Sequence, residues 1–450
     1  MDRATRRRIW GWWFFDWASQ PYATLLLTFI FAPYVKELLG DGTAAQAAWG
    51  YGIGAAGLVI ALCAPILGAV ADKTGHRMPW IVVFSACYVA GAAGLWWADP
   101  AGFSLPLILL SFGLGLVGLE FATIFTNALL PDLGPRREIG RISGTGWAFG
   151  YVGGLIALIL MLALFAEGDR GTTLIGRAPA LGLDPAAREG TRFVGPFVAL
   201  WYTVFMIPFF LWVRVPRTPP TESLGRALAR GLPELGATLR RLPRTPSLAA
   251  YLAASMAYRD ALNGIYVFGG IYAAGVLGWS VIDVGIFGIL AVISGAVFSW
   301  VGGRADHLFG PKPVIVFCAA LLTALAIGVI FVSRERVFGL PVAPGAHLPD
   351  MAFYLIGAGI GAAGGALQTA SRTMMVRQAN PARMTEAFGL YALSGKATSF
   401  LAPLAIGVAT ELTGSQQMGI TPLVVLFLIG LFLLRFVEAD GERAERWQDT

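Results

Sequence analysis

The sequence predicts an all-α integral membrane protein, with twelve transmembrane helices in two six-helix repeats and both termini in the cytoplasm. Three observations predict it. Apolar residues make up 56% of the chain and charged residues 13%, where a soluble globular protein carries about 25% charged. Twelve apolar segments follow one another along the 450 residues, each long enough to cross a bilayer core as a helix. A polar turn also recurs at the same place in each half. No segment is long or polar enough to form a soluble catalytic domain, so the chain is read as no enzyme, with no cofactor.

The expected spans are 13–35, 49–71, 79–97, 104–129, 143–166, 193–213, 247–276, 281–303, 312–333, 350–374, 386–410 and 420–437. Ahead of the first, Arg6-Arg7-Arg8 invites a signal-peptide reading. The apolar run behind it contains Asp16, continues to Tyr34 and has no cleavage site, so it reads as a retained helix. The first bundle is expected over 1–213, a cytoplasmic central loop over 214–246, the second bundle over 247–437 and a cytoplasmic tail over 438–450. In the central loop Leu224, Leu228, Leu232, Leu235, Leu239 and Leu242 recur at spacings of four and three between arginines. That pattern predicts a basic amphipathic helix on the inner leaflet, interrupted near Gly231 and Pro233. The polar outer loops, 167–192 and 334–349, suggest no function.

Basic residues set the orientation. Arg3, Arg6, Arg7 and Arg8 precede the first span; Lys73 and Arg77, then Arg136, Arg137 and Arg141, occupy the loops after spans two and four. The central loop adds Arg214, Arg217, Arg226, Arg230, Arg240, Arg241 and Arg244, and later loops on that side add Arg304, Lys312, Arg377 and Arg383. The opposite side has only Lys36, Arg170, Arg177, Arg188, Arg192, Arg334 and Arg336. The positive-inside rule then puts both ends in the cytoplasm.

The halves repeat each other. Gly68-Ala-Val-Ala-Asp72-Lys-Thr-Gly75-His-Arg77 after span two matches Gly302-Gly-Arg-Ala-Asp306-His-Leu-Phe-Gly310-Pro-Lys312 after span eight. Phe14-Phe-Asp16-Trp-Ala-Ser19-Gln-Pro-Tyr22 in span one matches Tyr258-Arg-Asp260-Ala-Leu-Asn263-Gly-Ile-Tyr266 in span seven. Two separate matches indicate a duplicated six-helix unit.

The turn Gly68…Asp72-Lys73…Gly75-His76-Arg77 resembles the signature loop of the major facilitator superfamily, with Lys73 and His76 where arginines are usual and Val70 where leucine is usual. The resemblance implies the major facilitator fold. It also implies gating roles for Gly68, Asp72, Gly75 and Arg77, with Gly302 and Asp306 in the degenerate copy. A narrower resemblance covers most of the chain. Trp13-Phe-Phe-Asp16-Trp17-Ala-Ser-Gln-Pro21-Tyr22 is similar to the opening of the unknown major facilitator family, related to the fungal vacuolar amino-acid effluxers of autophagy. Asn127-Ala-Leu-Leu-Pro131-Asp132, Ser143-Gly144 through Gly146-Trp147 to Gly150-Tyr151, and Arg259-Asp260 extend that likeness. It implies amino-acid transport and efflux.

A charge at the bilayer centre costs about 2.5–3.5 kcal/mol, and the spans hold Asp16, Glu120, Arg259, Asp260 and Lys396. Unpaired, the five would cost on the order of 15 kcal/mol, so pairing or a wet cavity is expected. Arg259 lies roughly 18 Å into span seven at 1.5 Å per residue, near the midplane; Lys396 lies at a similar depth. Arg259 and Asp260 point about 100° apart and cannot pair well with each other, so the expected partner of Arg259 is Glu120 or Asp16 of the other half. No histidine lies in a span, and proton coupling would run through Glu120 and Asp260. A zwitterionic solute needs a cation and an anion, which Arg259 or Lys396 beside Glu120 or Asp260 would supply. Tyr22, Asn263 and Tyr266 are candidate cavity residues; Trp17, Tyr258 and Tyr272 could line it or merely pack.

Gly146, Gly150 and Gly154, and likewise Gly357, Gly361 and Gly365, form stripes that let helices approach closely. No Gly-Lys-Ser/Thr phosphate loop occurs, which argues against ATP-driven pumping. Cys63, Cys87 and Cys318 lie in apolar runs, with no metal or disulfide spacing. The net charge of +6 follows from orientation and signals no nucleic acid. The leading expectation is a secondary active transporter moving a small polar solute by alternating access, with proton coupling as one option. The alternatives are a non-transporting receptor or assembly scaffold, or a lipid translocator, with a transporter fold. A monomer is expected, in a multi-pass arrangement in a bacterial inner membrane.

Overall fold

Prolines and glycines decide where these apolar helices bend, break and touch. The computed structural model describes residues 2–40, 42–168, 170–215, 219–279 and 281–441. Arg217, the Lys36 side chain and residues 442–450 of the expected tail lie outside the described residues. In chain order the helices are α1 (Arg3–Pro21), α2 (Phe31–Leu39), α3 (Gly42–Thr74), α4 (Met78–Gly94), α5 (Leu105–Asn127), α6 (Ile139–Leu164), α7 (Glu189–Arg192), α8 (Val194–Phe205), α9 (Ile207–Trp212) and α10 (Leu224–Arg241). They continue as α11 (Pro246–Val276), α12 (Val281–Phe309), α13 (Pro311–Ile330), α14 (Leu348–Gln378), α15 (Met384–Ala397), α16 (Leu401–Thr413) and α17 (Thr421–Leu434). One small hairpin, β1 (Arg336–Val337) with β2 (Leu340–Pro341), pairs Arg336 with Pro341.

Among the described residues, ten helical stretches are long and apolar enough to cross a membrane. Neither α11 nor α17 is in that set. Arg259, Asp260 and Asn263 make the middle of α11 polar, and α17 has 14 residues. The protein is therefore an all-helical multi-pass membrane protein apart from the hairpin.

The chain forms two compact units, Met1–Leu129 with Phe149–Ala229 and Leu130–Ala148 with Arg230–Thr450. In the first, α5 packs on α4 and α3, and α8 on α4. Its core is aromatic: Phe84 stacks on Phe121 at 4.5 Å, and Tyr88 on Tyr202 at 4.0 Å. In the second, α14 packs along α12 and α13, and α17 along α11 and α13. Gly361 and Gly365 lie against the backbone of α12 at Ala291 and Gly295, where any side chain would collide.

Four local features differ from the sequence expectation. The first helix begins at Arg3, so the arginine run is helical and no longer a loop. Pro21, lacking an amide hydrogen, cannot close the bond to the Trp17 carbonyl, which accepts Trp201 Nε1 at 3.2 Å instead. Beyond it the chain widens into a π-helix, Tyr22–Phe29, before breaking at Ile30. Span eleven, expected as one helix, is two: α15 ends at Ala397 and α16 starts at Leu401. Pro403 cannot donate to Ser399 and its ring crowds that carbonyl, which accounts for the break. Conversely, α10 runs unbroken through Gly231 and Pro233. On an exposed helix the loss of one hydrogen bond is tolerated, and Pro233 is exposed.

Candidate functional site

The second unit gathers three of the candidate charges around the break between α15 and α16. Arg259, on α11, lays its guanidinium 4.1 Å over the Tyr391 ring and donates from Nη1 to the Tyr391 carbonyl at 2.9 Å. Gly395, one turn further along α15, makes room for it: a Cβ there would sit 2.5 Å from Arg259 Nη2. Lys396 is the next residue, on the last turn of α15. Asp260 is buried and lies beside Thr398 in the break itself. Its Oδ2 finds no hydrogen-bond partner among the described residues, and a buried carboxylate oxygen so placed is costly unless something charged or protonated comes to it. The backbone also loses regular bonding at 398–400, as in transporter helices broken around a binding site.

Along α11, Arg259, Asn263 and Tyr266 follow at spacings of four and three and share one face. Asn263 and Tyr266 are exposed, so the face presents an amide and a phenol in line with the guanidinium. The other tyrosines are engaged in packing. Tyr22 is buried and donates to the Phe112 carbonyl at 2.6 Å; Tyr258 shares a hydrogen bond with Ser371 Oγ at 2.8 Å; Tyr272 donates to Val329 and Val332 carbonyls.

The remaining two charges belong to the first unit. Asp16 lies on α1, where Gly150 of α6 approaches its backbone closely. Glu120 lies half-buried on α5. Trp17, next to Asp16, stacks against Trp201 at 5.9 Å and Phe149 at 4.5 Å.

The two copies of the signature loop are built differently. In the first unit Asp72 pairs with Arg77 at 2.9 Å, and Arg77 also donates to the Ala128 carbonyl at 3.3 Å. Gly75 takes φ +68°, the left-handed conformation that lets the helix end here. A cavity of about 420 Å³ lies beside this loop, lined by His76, Arg77, Met78 and Pro79 among others. In the second unit Asp306 is buried beside Thr373 and Arg377, with Gly140 against its side chain. Gly302 faces Ala366 so closely that a Cβ would lie 2.7 Å from the alanine methyl.

The sequence reading also passed over a buried arginine of the second unit. Arg372, on α14, is buried, donates from Nε to Ser143 Oγ at 2.9 Å and from Nη2 to the Ser143 carbonyl at 2.7 Å, and lies 5.5 Å from the Trp147 ring centroid. Ser143 Oγ in turn lies 3.3 Å from the Thr369 carbonyl. Arg372 stands at the edge of the expected span 350–374, where an arginine reads as a loop cation. Its signal lay in the Ser143-to-Trp147 motif that receives it.

Comparison with known proteins identifies the family and the fold. A family model described as "Vacuole effluxer Atg22 like" matches residues 135–446, and one described as "Major Facilitator Superfamily" matches residues 2–158. The chain is 25% identical over 445 residues to the uncharacterized MFS-type transporter YxiO of Bacillus subtilis, covering 98% of this chain and 96% of the relative. It is 25% identical over 344 residues to autophagy-related protein 22-1 of Penicillium rubens, covering 70% of this chain and 54% of that protein. The chain thus spans about half the length of that fungal relative. Among solved structures, the human organic anion transporter MFSD10 superposes with a TM-score of 0.70 at 16% identity, covering 96% of this chain and 100% of that one. The proton:xylose symporter XylE superposes with a TM-score of 0.69 at 13% identity, covering 99% and 98%. At those identities the likeness concerns the fold.

Proposed function

The chain belongs to the vacuole effluxer Atg22-like family of major facilitator transporters, and on that premise we propose that it exports a small zwitterionic solute of the amino-acid class by alternating access. The observation that carries the reading is the second unit's charged cluster. Arg259 is held over Tyr391, beside a buried Asp260 whose Oδ2 has no hydrogen-bond partner among the described residues, at a break in a helix. The guanidinium suits a carboxylate and Asp260 suits an ammonium group, while Asn263 and Tyr266 supply neutral hydrogen bonds along the same helix. Glu120 and Asp16 of the first unit are the carboxylates we assign to proton movement, and Lys396 to a second cationic contact. The family's description as vacuole effluxers and the fold shared with a proton:xylose symporter support export and proton coupling as parts of the proposal. We further propose twelve spans with both termini cytoplasmic, counting α11 and α17 with the ten, and the cell membrane of a bacterium as the location.

The test is a thermal-shift and binding screen of purified protein against amino acids, dipeptides and sugar acids, followed by flux in liposomes under an imposed proton gradient. A zwitterion that stabilises the wild type and not Arg259→Ala supports the site. Zwitterion binding unchanged in Arg259→Ala and Asp260→Asn would make both residues structural and sink the assignment.

A further inference from the structure

The first helix carries a feature that solute transport does not use. Arg3, Arg6 and Arg7, followed by Trp10 and Phe14, fall within about 100° of one another on α1 at 100° per residue. With Trp212, the last residue of α9, they line a pocket of about 350 Å³ within the first unit. The three guanidiniums are exposed, and none has a carboxylate partner among the described residues. Asp2, the one acid at this helix end, uses its carboxylate on the Thr5 amide at 2.8 Å.

The floor of the pocket is apolar and rigid. Phe14 meets Trp212 at 6.3 Å and Phe149 at 5.4 Å, and Trp10 meets Phe149 edge-on at 5.9 Å. Beside Trp212, Ile207 is 52% and Leu211 69% exposed on α9, which suits hydrocarbon and not water. The pocket's height in the bilayer follows from the same residues. The membrane-crossing stretch Glu189–Trp212 ends at Trp212, and tryptophans gather where the hydrocarbon stops. Phe14 touches Trp212, and Arg7 stands two turns beyond, roughly 10 Å further out, at the depth of lipid phosphates.

A ring of cations one step above an aromatic floor, open to hydrocarbon along one side, matches a molecule with a phosphate at one end and acyl chains at the other. The geometry points to a binding site for an anionic phospholipid, with its phosphate among Arg3, Arg6 and Arg7 and its glycerol and upper chains against Trp10, Phe14 and Trp212. Arginines bind phosphate bidentately and stack on rings, and three unneutralised ones beside each other favour a headgroup of net negative charge.

The experiment uses the full-length protein in a neutral detergent. Lipid retention is read by native mass spectrometry and stabilisation by thermal shift, with phosphatidylglycerol, phosphatidylcholine, glycerol 3-phosphate and inorganic phosphate as probes. Phosphatidylglycerol is expected to bind and raise the melting temperature, and the other three to do neither. Replacing all three arginines by glutamine should weaken phosphatidylglycerol on the order of a hundredfold, from about 1 kcal/mol per cation near the membrane surface. The corresponding lysine triple variant should keep most of the affinity, and Trp212→Ala should lose part of it with every charge in place. Arg240→Gln with Arg241→Gln, in α10, should bind like the wild type. The proposal is overturned if phosphatidylcholine binds as well as phosphatidylglycerol, if either soluble phosphate stabilises equally, or if the glutamine triple variant, folded by its lipid-free melting curve, binds unchanged.

Discussion

A guanidinium kept near the middle of a membrane helix needs its charge dispersed, and the structure disperses that of Arg259 onto one ring face and one carbonyl of the same residue, Tyr391. Because Gly395 supplies the space, Gly395→Ala is expected to displace the guanidinium without removing it. Losing one charged hydrogen bond is worth about 1.5–3 kcal/mol, so solute affinity should fall roughly ten- to hundredfold in a binding titration. An Ala variant that binds solute like the wild type would detach Arg259 from the site. Arg372 has the opposite character, since two of its donors, Nε and Nη2, are used on Ser143. Arg372→Lys is expected to lower stability by about 2–3 kcal/mol, nearly as much as Arg372→Ala, because a point charge cannot reach Ser143 Oγ and its carbonyl together. Comparing melting curves of the two variants checks this. Five charges inside the expected spans, though not Arg372 at the edge of one, were legible from the sequence because each violates hydropathy. Their partners were not, since a carbonyl or a ring face acts as partner without being charged.

Helix breaks were the least legible feature. Pro21 and Pro403 stand in plain view, yet a proline in a membrane helix can kink it, widen it or leave it intact. Here Pro21 precedes a π-helical stretch, Pro403 follows a break, and Pro233 sits inside an unbroken helix. The outcome depends on what accepts or replaces the freed carbonyl: Trp201 Nε1 does so at Trp17, a neighbour that lies 184 residues away. If the break at 398–400 keeps Asp260 accessible, restoring the missing amide with Pro403→Ala should let α15 and α16 join. The expected outcome is a higher melting temperature, by the few degrees that about 1 kcal/mol gives, together with slower flux in liposomes. Faster flux in the stabilised variant would show that the break serves no step of transport. The spans themselves, by contrast, were readable almost throughout, because twenty apolar residues in a row have few other uses. The exceptions are α11, whose polar middle lowers its hydropathy where function is proposed to need it, and α17, which has 14 residues.

Duplication gives the whole molecule two copies of one loop, and the copies have diverged in what their aspartates do. Asp72 pairs with Arg77, five residues along the same turn, whereas Asp306 is buried against Thr373 and Gly140. Spacing and motif found both residues; the partner, which spacing cannot report, separates them. A pair that can exchange its partner for water suits a latch, and a buried carboxylate suits a fixed joint. If Asp72 and Arg77 act as a latch, removing it changes the balance of transport states by the worth of one charged hydrogen bond, roughly tenfold or more. Asp72→Asn should then lower turnover in proteoliposomes by that factor while the solute-induced thermal shift stays, and Asp72→Asn with Arg77→Gln should be no worse than either single change. Asp306→Asn should instead lower the melting temperature, with turnover per folded molecule little changed. Equal losses of turnover from both aspartates would make the second copy part of the latch as well. A double variant whose losses add would mean that Asp72 and Arg77 act through separate partners, and the latch would have to be sought elsewhere in the loop.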